Sequence, residues 1–175
     1  MSATRPKHVV VMGVAGSGKT AVAEALARLL AWSFIEGDAV HPPANIAKMS
    51  AGIALTDADR EPWLAALAAM TAEHDARGVS TVVACSALRR SYRDILRSGV
   101  PDGETFFIHL DAAPDVLAQR MRERSHFMPP PLLESQFRTL EPLETDEPGV
   151  TIDVTGPLGL VVAEARASIA TRYDD

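Results

Sequence analysis

The chain holds a single cysteine, Cys85, in 175 residues. One thiol cannot form an internal disulfide, so the fold is not a crosslinked scaffold and a reducing compartment is expected. The apolar neighbours Val82, Val83 and Ala84 mark that thiol as buried and inert rather than reactive. Positive charge is also in short supply. Seventeen Lys and Arg against 23 Asp and Glu leave a formal net charge of −6 and a pI near 5.3. That balance excludes a broad nucleic-acid or membrane-surface role, since both rely on basic patches. It leaves room for a small anionic ligand held by a few local cations. No apolar run reaches the roughly 18 residues of a membrane span. The opening "MSATRPKHVVVMG" has basic residues before a short apolar run, but the run leads into glycines and a lysine instead of a cleavage site. A cytoplasmic protein is expected. Internal repeats and linkers are missing too, so residues 1–175 read as one domain. The 47% hydrophobic and 23% charged content suits an ordinary soluble domain with a sizeable core.

What is present alternates. Residues 8–12 form a β-branched run that predicts a buried strand, and a helix follows to about Leu30, with Val22, Leu26, Leu29 and Leu30 on one face. "SFIEGD", residues 33–38, predicts a second strand. "HPPANIAKM" starts a helix on its prolines, and "TDADREPWLAALAAMTAEHDARG" predicts a capped helix with Pro62 in its first turn. Further strands are expected at "STVVACSAL", "TFFIHLDA" and "GVTIDVTG", with helices at "RRSYRDILRSG", "PDVLAQRMRERS", "HFMPPPLLESQFRTLE" and "LGLVVAEARASIATR". Five strands alternating with helices predict an α/β fold: a parallel sheet covered on both faces, three layers deep. The charged, then proline-rich stretch at about residues 120–131 is the candidate lid.

Between the first strand and the first helix lies GVAGSGKT: Gly13, Val14, Ala15, Gly16, Ser17, Gly18, Lys19 and Thr20. This fits the phosphate-binding loop G-x-x-x-x-G-K-[ST]. Glycine is a poor way to fill a core but suits a backbone that must come close to a ligand. The loop's N–H groups and the helix N-terminus cradle phosphates, the lysine reaches the terminal ones, and the threonine hydroxyl is a magnesium ligand. A guanine-reading Asn-Lys-x-Asp segment is missing, which argues against a GTP switch and for transfer of a phosphoryl group to a small acceptor.

In such sheets ligands lie at the carboxyl ends of the strands. Asp38 stands at the end of the second predicted strand, Ser86 at the end of the third, and Arg120, Arg122 and Arg124 on the lid candidate. An acidic group there can orient an acceptor hydroxyl and take its proton, and arginines can stabilise the transferring phosphoryl group. By position alone, Asp38 could equally cap the turn after Gly37. Arg122 reads as part of a solvated helix face. The turn at residues 155–159 is a positional guess for adenine contact.

The segments "MGVAGSGKT", "GDAVHPPANIAKM", "LTDADREPWL", "CSALRRSYRDILR", "HFMPPPLLESQFRTLEPLETDE" and "TIDV" occur in the order found in gluconokinases, and the chain resembles that family from about residue 9 to about residue 154. The resemblance implies a P-loop kinase fold like that of the nucleoside monophosphate kinases, often as a homodimer. It implies phosphorylation of D-gluconate to 6-phospho-D-gluconate by ATP with magnesium. By the same resemblance, Lys19, Asp38, Arg120 and Arg124 are the catalytic candidates, with Asp38 in the place of a proton acceptor. His41, Lys48, Arg60, Ser86, His126 and Gln136 are acceptor-side candidates. Arg60 is the expected partner of the gluconate carboxylate, since guanidinium and carboxylate pair in two-pronged fashion. Trp63 is expected to pack rather than to stack on a sugar. The chain departs from the family pattern at Ser125, where a glycine often precedes the histidine. Two other readings remain: a kinase for another small hydroxy acid such as shikimate, and a non-catalytic nucleotide-binding module.

Overall fold

A computed structural model describes residues 4–101, 104–123 and 130–174. Five strands, β1 (His8–Met12), β2 (Ser33–Glu36), β3 (Thr81–Ala84), β4 (Thr105–Asp111) and β5 (Gly149–Asp153), form one parallel sheet in the order β2-β3-β1-β4-β5. β1 sits in the middle, with Val11 opposite Ala84 on one side and Ile108 on the other. Every residue of β1 and β3 is buried, as expected for strands covered on both faces.

The described residues also form seven α-helices: α1 (Lys19–Leu30), α2 (Pro43–Ser50), α3 (Asp57–Ala76), α4 (Arg90–Arg97), α5 (Pro114–Glu123), α6 (Pro130–Thr139) and α7 (Leu158–Tyr173). Parallel crossovers are right-handed. The step from β1 to β2 runs one way across the sheet, and the steps to β3, β4 and β5 run the other. The crossover helices therefore fall on opposite faces, α1 on one and α3 and α4 on the other, and α7 closes back beside α1. All five carboxyl ends share one edge, and the strand order reverses beside β1. Ligand sites of open α/β sheets form at such a reversal.

Some boundaries differ from the sequence expectation. β2 stops at Glu36, and Gly37–Val40 turn into a short 3₁₀ segment whose Asp38 N–H is accepted by the Glu36 side chain. β3 stops at Ala84; Ala87 then takes a left-handed φ of 46°, which ends the extended run. α1 buries Val22, Ala23, Leu26 and Ala27, while Leu29 is 53% exposed. Ala23 and Ala27 take places on the buried face of α1, and Leu29 lies outside it. α3 begins at Asp57 behind a capping box between Thr56 and Asp59, so Pro62 lies deeper than the first turn.

Candidate active site

The buried β1 delivers the chain to Gly13 at the sheet edge. Gly13 has φ 148° and donates its N–H to the Ser86 carbonyl at 3.2 Å. A Cβ there would stand 2.7 Å from the Leu110 carbonyl oxygen, so only glycine lets the loop turn back over β4. Gly18 caps α1 in a left-handed conformation (φ 92°, ψ 23°) with no side chain over the first N–H groups. The result is a concave loop of N–H groups at a helix N-terminus, which favours anions. Lys19 folds back along this loop, its Nζ donating to the Val14 carbonyl at 3.1 Å. The Thr20 hydroxyl donates to Glu36 Oε2 at 2.6 Å. Thr20 and Glu36 thus bring two hard oxygen ligands together beside the loop, a donor set that suits magnesium completed by phosphate oxygens and water. Glu36 is a group the sequence did not single out, since its partner Thr20 lies 16 residues away on α1.

The acceptor side is assembled from α2 and α3. Trp63, 2% exposed, donates its indole N–H to the Gly37 carbonyl at 2.8 Å and stacks on His41, with ring centroids 3.9 Å apart and planes 19° from parallel. The stack holds the turn that carries Asp38. His41 Nδ1 lies 3.3 Å from the Asn45 side-chain nitrogen, which also donates to the Asp59 carbonyl at 2.9 Å. Burial lowers the His41 pKa most; Asp38 opposes that and Arg60 adds to it. Arg60 is buried. It donates to the Leu55 carbonyl at 2.7 Å and to the Tyr92 hydroxyl at 3.1 Å, and Tyr92 in turn donates to Asp57. Tyr92 is a second group the sequence did not single out; it lies 32 residues from Arg60.

A cleft of about 790 Å³ opens between these walls, lined in part by Lys19, Thr20, Asp38, His41, Arg60 and Ser86. Ala15, Gly16, Gly18 and Gln136 also line it. Gln136, from α6, uses its side-chain oxygen to accept the Ala15 N–H at 2.7 Å, so it ties α6 to the phosphate loop as well as facing the cleft. Gly13, Val14 and Ser17 are buried members of the loop and do not line the cleft.

Two expected residues are placed elsewhere. Lys48 is not on the cleft wall: its Nζ pairs with Asp59 at 2.8 Å. That bond and the Thr56 N–H hold the Asp59 carboxyl down at about 2. The lysine's charge therefore braces α2 against α3. Arg120 is also off the cleft wall; it donates to the Thr155 carbonyl at 3.3 Å, in the turn between β5 and α7. Arg124 and His126 lie outside the described residues, as does the middle of the lid candidate. Among the described residues no helix is long and apolar enough to cross a membrane.

Comparison with known proteins gives a consistent set of relatives. The family model for shikimate kinase matches residues 15–147. A gluconokinase of Gluconobacter oxydans (strain 621H) is 50% identical over 149 residues, spanning 85% of this chain and 83% of that one. The thermosensitive gluconokinase of Escherichia coli (strain K12) is 41% identical over 162 residues, spanning 91% of this chain and 86% of that one. The crystal structure of a gluconokinase from Sinorhizobium meliloti 1021 superposes with a TM-score of 0.89 at 49% identity, covering 97% of this chain and 95% of that one.

Proposed function

Because the chain belongs to the gluconokinase family, within the broader shikimate-kinase group, we propose that its cleft moves the γ-phosphoryl group of ATP to the 6-hydroxyl of D-gluconate, yielding ADP and 6-phospho-D-gluconate. The observation that carries this reading is the shared cleft: Asp38, Arg60 and His41 face Lys19 and the phosphate loop across it.

The chemistry follows from that arrangement. The Asp38 carboxylate takes the proton of the acceptor hydroxyl as its oxygen bonds to the γ-phosphorus. The bond from that phosphorus to the β–γ bridging oxygen breaks, and the charge left on ADP is met by the loop N–H groups and Lys19. Thr20 and Glu36 would hold magnesium, which when bound neutralises phosphate charge. Arg60, already fixed by Leu55 and Tyr92, pairs with the gluconate carboxylate and sets the far end of the substrate. Its contact with Thr155 supports assigning Arg120 to the nucleotide rather than to the acceptor. Arg124 and His126 belong to this reading as lid residues by family resemblance alone.

The homodimer implied by that resemblance is part of the proposal, as is a cytoplasmic location. Exposed apolar side chains support the dimer: Leu158 and Leu160 on α7 are 51% and 67% exposed, and α7 packs beside α1, whose Leu29 is also exposed. Mass by light scattering tests it.

The direct test is ADP formation by purified protein with magnesium-ATP and gluconate, other aldonates, shikimate, or no acceptor. Turnover confined to gluconate is expected. Turnover with shikimate alone would move the substrate to the other hydroxy acid named by the matching family model. Absence of any acceptor-dependent turnover would point to a binding module. Asp38→Asn is expected to lower turnover by about 10²–10⁴-fold with ATP binding retained.

A further inference from the structure

His41 has a hydrogen-bonding state that its neighbours decide. The Asp59 backbone carbonyl can only accept, so the Asn45 side-chain atom 2.9 Å from it is the amide nitrogen. The same nitrogen lies 3.3 Å from His41 Nδ1 and offers it the second amide hydrogen. Nδ1 must then present a lone pair, and the proton of the neutral ring sits on Nε2. Asp59 is itself held by Lys48 and by the Thr56 capping box, so the chain of bonds ends in fixed groups. Trp63 fixes the ring plane. Nε2 has no protein hydrogen bond among the described residues, and His41 lines the cleft.

We infer that His41 is a neutral, fixed-tautomer donor whose Nε2–H binds a hydroxyl oxygen of the acceptor, with Asn45 as its positioning residue. This rests on the gluconate reading of the cleft and adds the direction of one substrate hydrogen bond. Protonation of the ring would set an N–H against the Asn45 amide hydrogens and break the bond to Asp59. The charged groups that face the ring are Asp38, from the turn after β2, and Arg60, from α3. Their opposite signs leave burial to decide, and it keeps the imidazole uncharged. A neutral donor serves this site well, since it orders a hydroxyl without drawing the anionic end of the substrate away from Arg60.

The test joins spectroscopy to kinetics. Protein labelled with ¹⁵N-histidine is examined by long-range ¹H–¹⁵N correlation from about pH 6 to about pH 8, with the His41 signals identified by their loss in His41→Gln. The expected spectrum is a neutral ring protonated at Nε2. Asn45→Asp, which places a proton acceptor beside Nδ1, is expected to convert it to an Nδ1-protonated or doubly protonated ring. In kinetics, His41→Leu is expected to raise KM for gluconate about tenfold, with KM for ATP within about twofold, while His41→Gln, which keeps a donor, recovers most of the loss. A wild-type ring protonated at Nδ1, or equal KM values in His41→Leu and wild type, overturns the inference. So does failure of His41→Gln to improve on His41→Leu. If the wild type does not turn over gluconate at all, the substrate reading fails and the kinetic half of the inference with it, while the spectrum still decides the tautomer.

Discussion

Arg93 and Glu147 pair with no exposed side-chain surface on either partner, through bonds of 2.7 and 2.9 Å. The remaining guanidinium N–H groups reach the carbonyls of Ala87, Leu88, Glu141 and Pro142. One side chain therefore ties the left-handed turn after β3, which carries Ser86, to the segment that follows α6, which carries Gln136. A buried pair of this kind adds little over an apolar pair, but removing one partner strands the other charge. Glu147→Leu is expected to cost about 3–5 kcal/mol in urea unfolding. A cost below 1 kcal/mol would show that water reaches Arg93 once its partner is gone.

Gly37 is a second place where the site depends on backbone fit. A Cβ there would lie 2.3 Å from the Ala84 carbonyl oxygen, so the turn bearing Asp38 rests directly on the end of β3. Gly37→Ala must push that turn away and disturb the Trp63 bond to the Gly37 carbonyl. The expected outcome is a loss of about 1–3 kcal/mol in stability, from overpacking. It should come with a fall in kcat/KM for gluconate larger than the change in KM for ATP. Steady-state kinetics with each substrate varied in turn checks this.

These two cases show which parts were legible in the sequence. β1, the phosphate loop and α1 are local: an apolar run, glycines at fixed spacing and an amphipathic helix lie within about two dozen residues. The end of a strand is a local mark that puts Asp38 at the sheet edge, but only the family resemblance sets it apart from a turn cap. The partners that hold the site in place were not. Arg93 and Glu147 are 54 residues apart, and Tyr92 and Asp57 are 35 apart, so no window of sequence shows them together. The family resemblance puts Lys48 among the acceptor-side candidates; nothing local shows that Asp59 takes up its charge. Glu36 was overlooked because its partner, Thr20, comes from another strand–helix unit.

The phosphate loop gives the sharpest kinetic expectation. Lys19→Ala should lower turnover by about 10²–10³-fold, since charge stabilisation carries much of phosphoryl transfer. Glu36→Gln should act differently. It keeps an acceptor for the Thr20 hydroxyl but removes a charge from the site assigned to magnesium. The half-saturating magnesium concentration is expected to rise about 10-fold or more, with the maximal rate largely restored at high magnesium. Rates measured against magnesium at fixed ATP separate the two. An unchanged magnesium requirement in Glu36→Gln would remove Glu36 from the metal site.

Stability can be gained at Ala31. This exposed residue ends α1 with φ 55° and ψ 39°, and its N–H reaches the Ala27 and Arg28 carbonyls. A non-glycine residue in this conformation crowds its own Cβ against the backbone, and glycine is the usual occupant. Ala31→Gly relieves that strain, partly offset by the greater freedom of glycine in the unfolded chain. The net gain expected is about 0.5–1 kcal/mol, or a rise of about 1–4 °C in Tm by calorimetry. Activity should not change, because Ala31 lies at the end of α1 opposite the phosphate loop.

Acid sensitivity should centre on His109. It is 2% exposed on β4, and among the described residues neither ring nitrogen has a hydrogen-bond partner. Burial lowers its pKa first; Asp111 opposes this and Arg93 adds to it. The unfolded chain takes up a proton near its ordinary value of 6.5, whereas the folded protein resists doing so until lower pH. Stability is therefore full above about pH 6.5 and falls as pH drops below it, by at most about 1.4 kcal/mol per pH unit for this one group. His8 acts in the same sense, its lowering by burial only partly opposed by Asp75. His109→Leu removes the proton uptake along with two unpaired ring nitrogens. Its urea-unfolding free energy is expected to match or exceed the wild type at pH 8 and to decline less steeply from pH 6.5 to pH 5. Parallel slopes in the two proteins would assign the acid loss to His8 and the buried carboxylates instead.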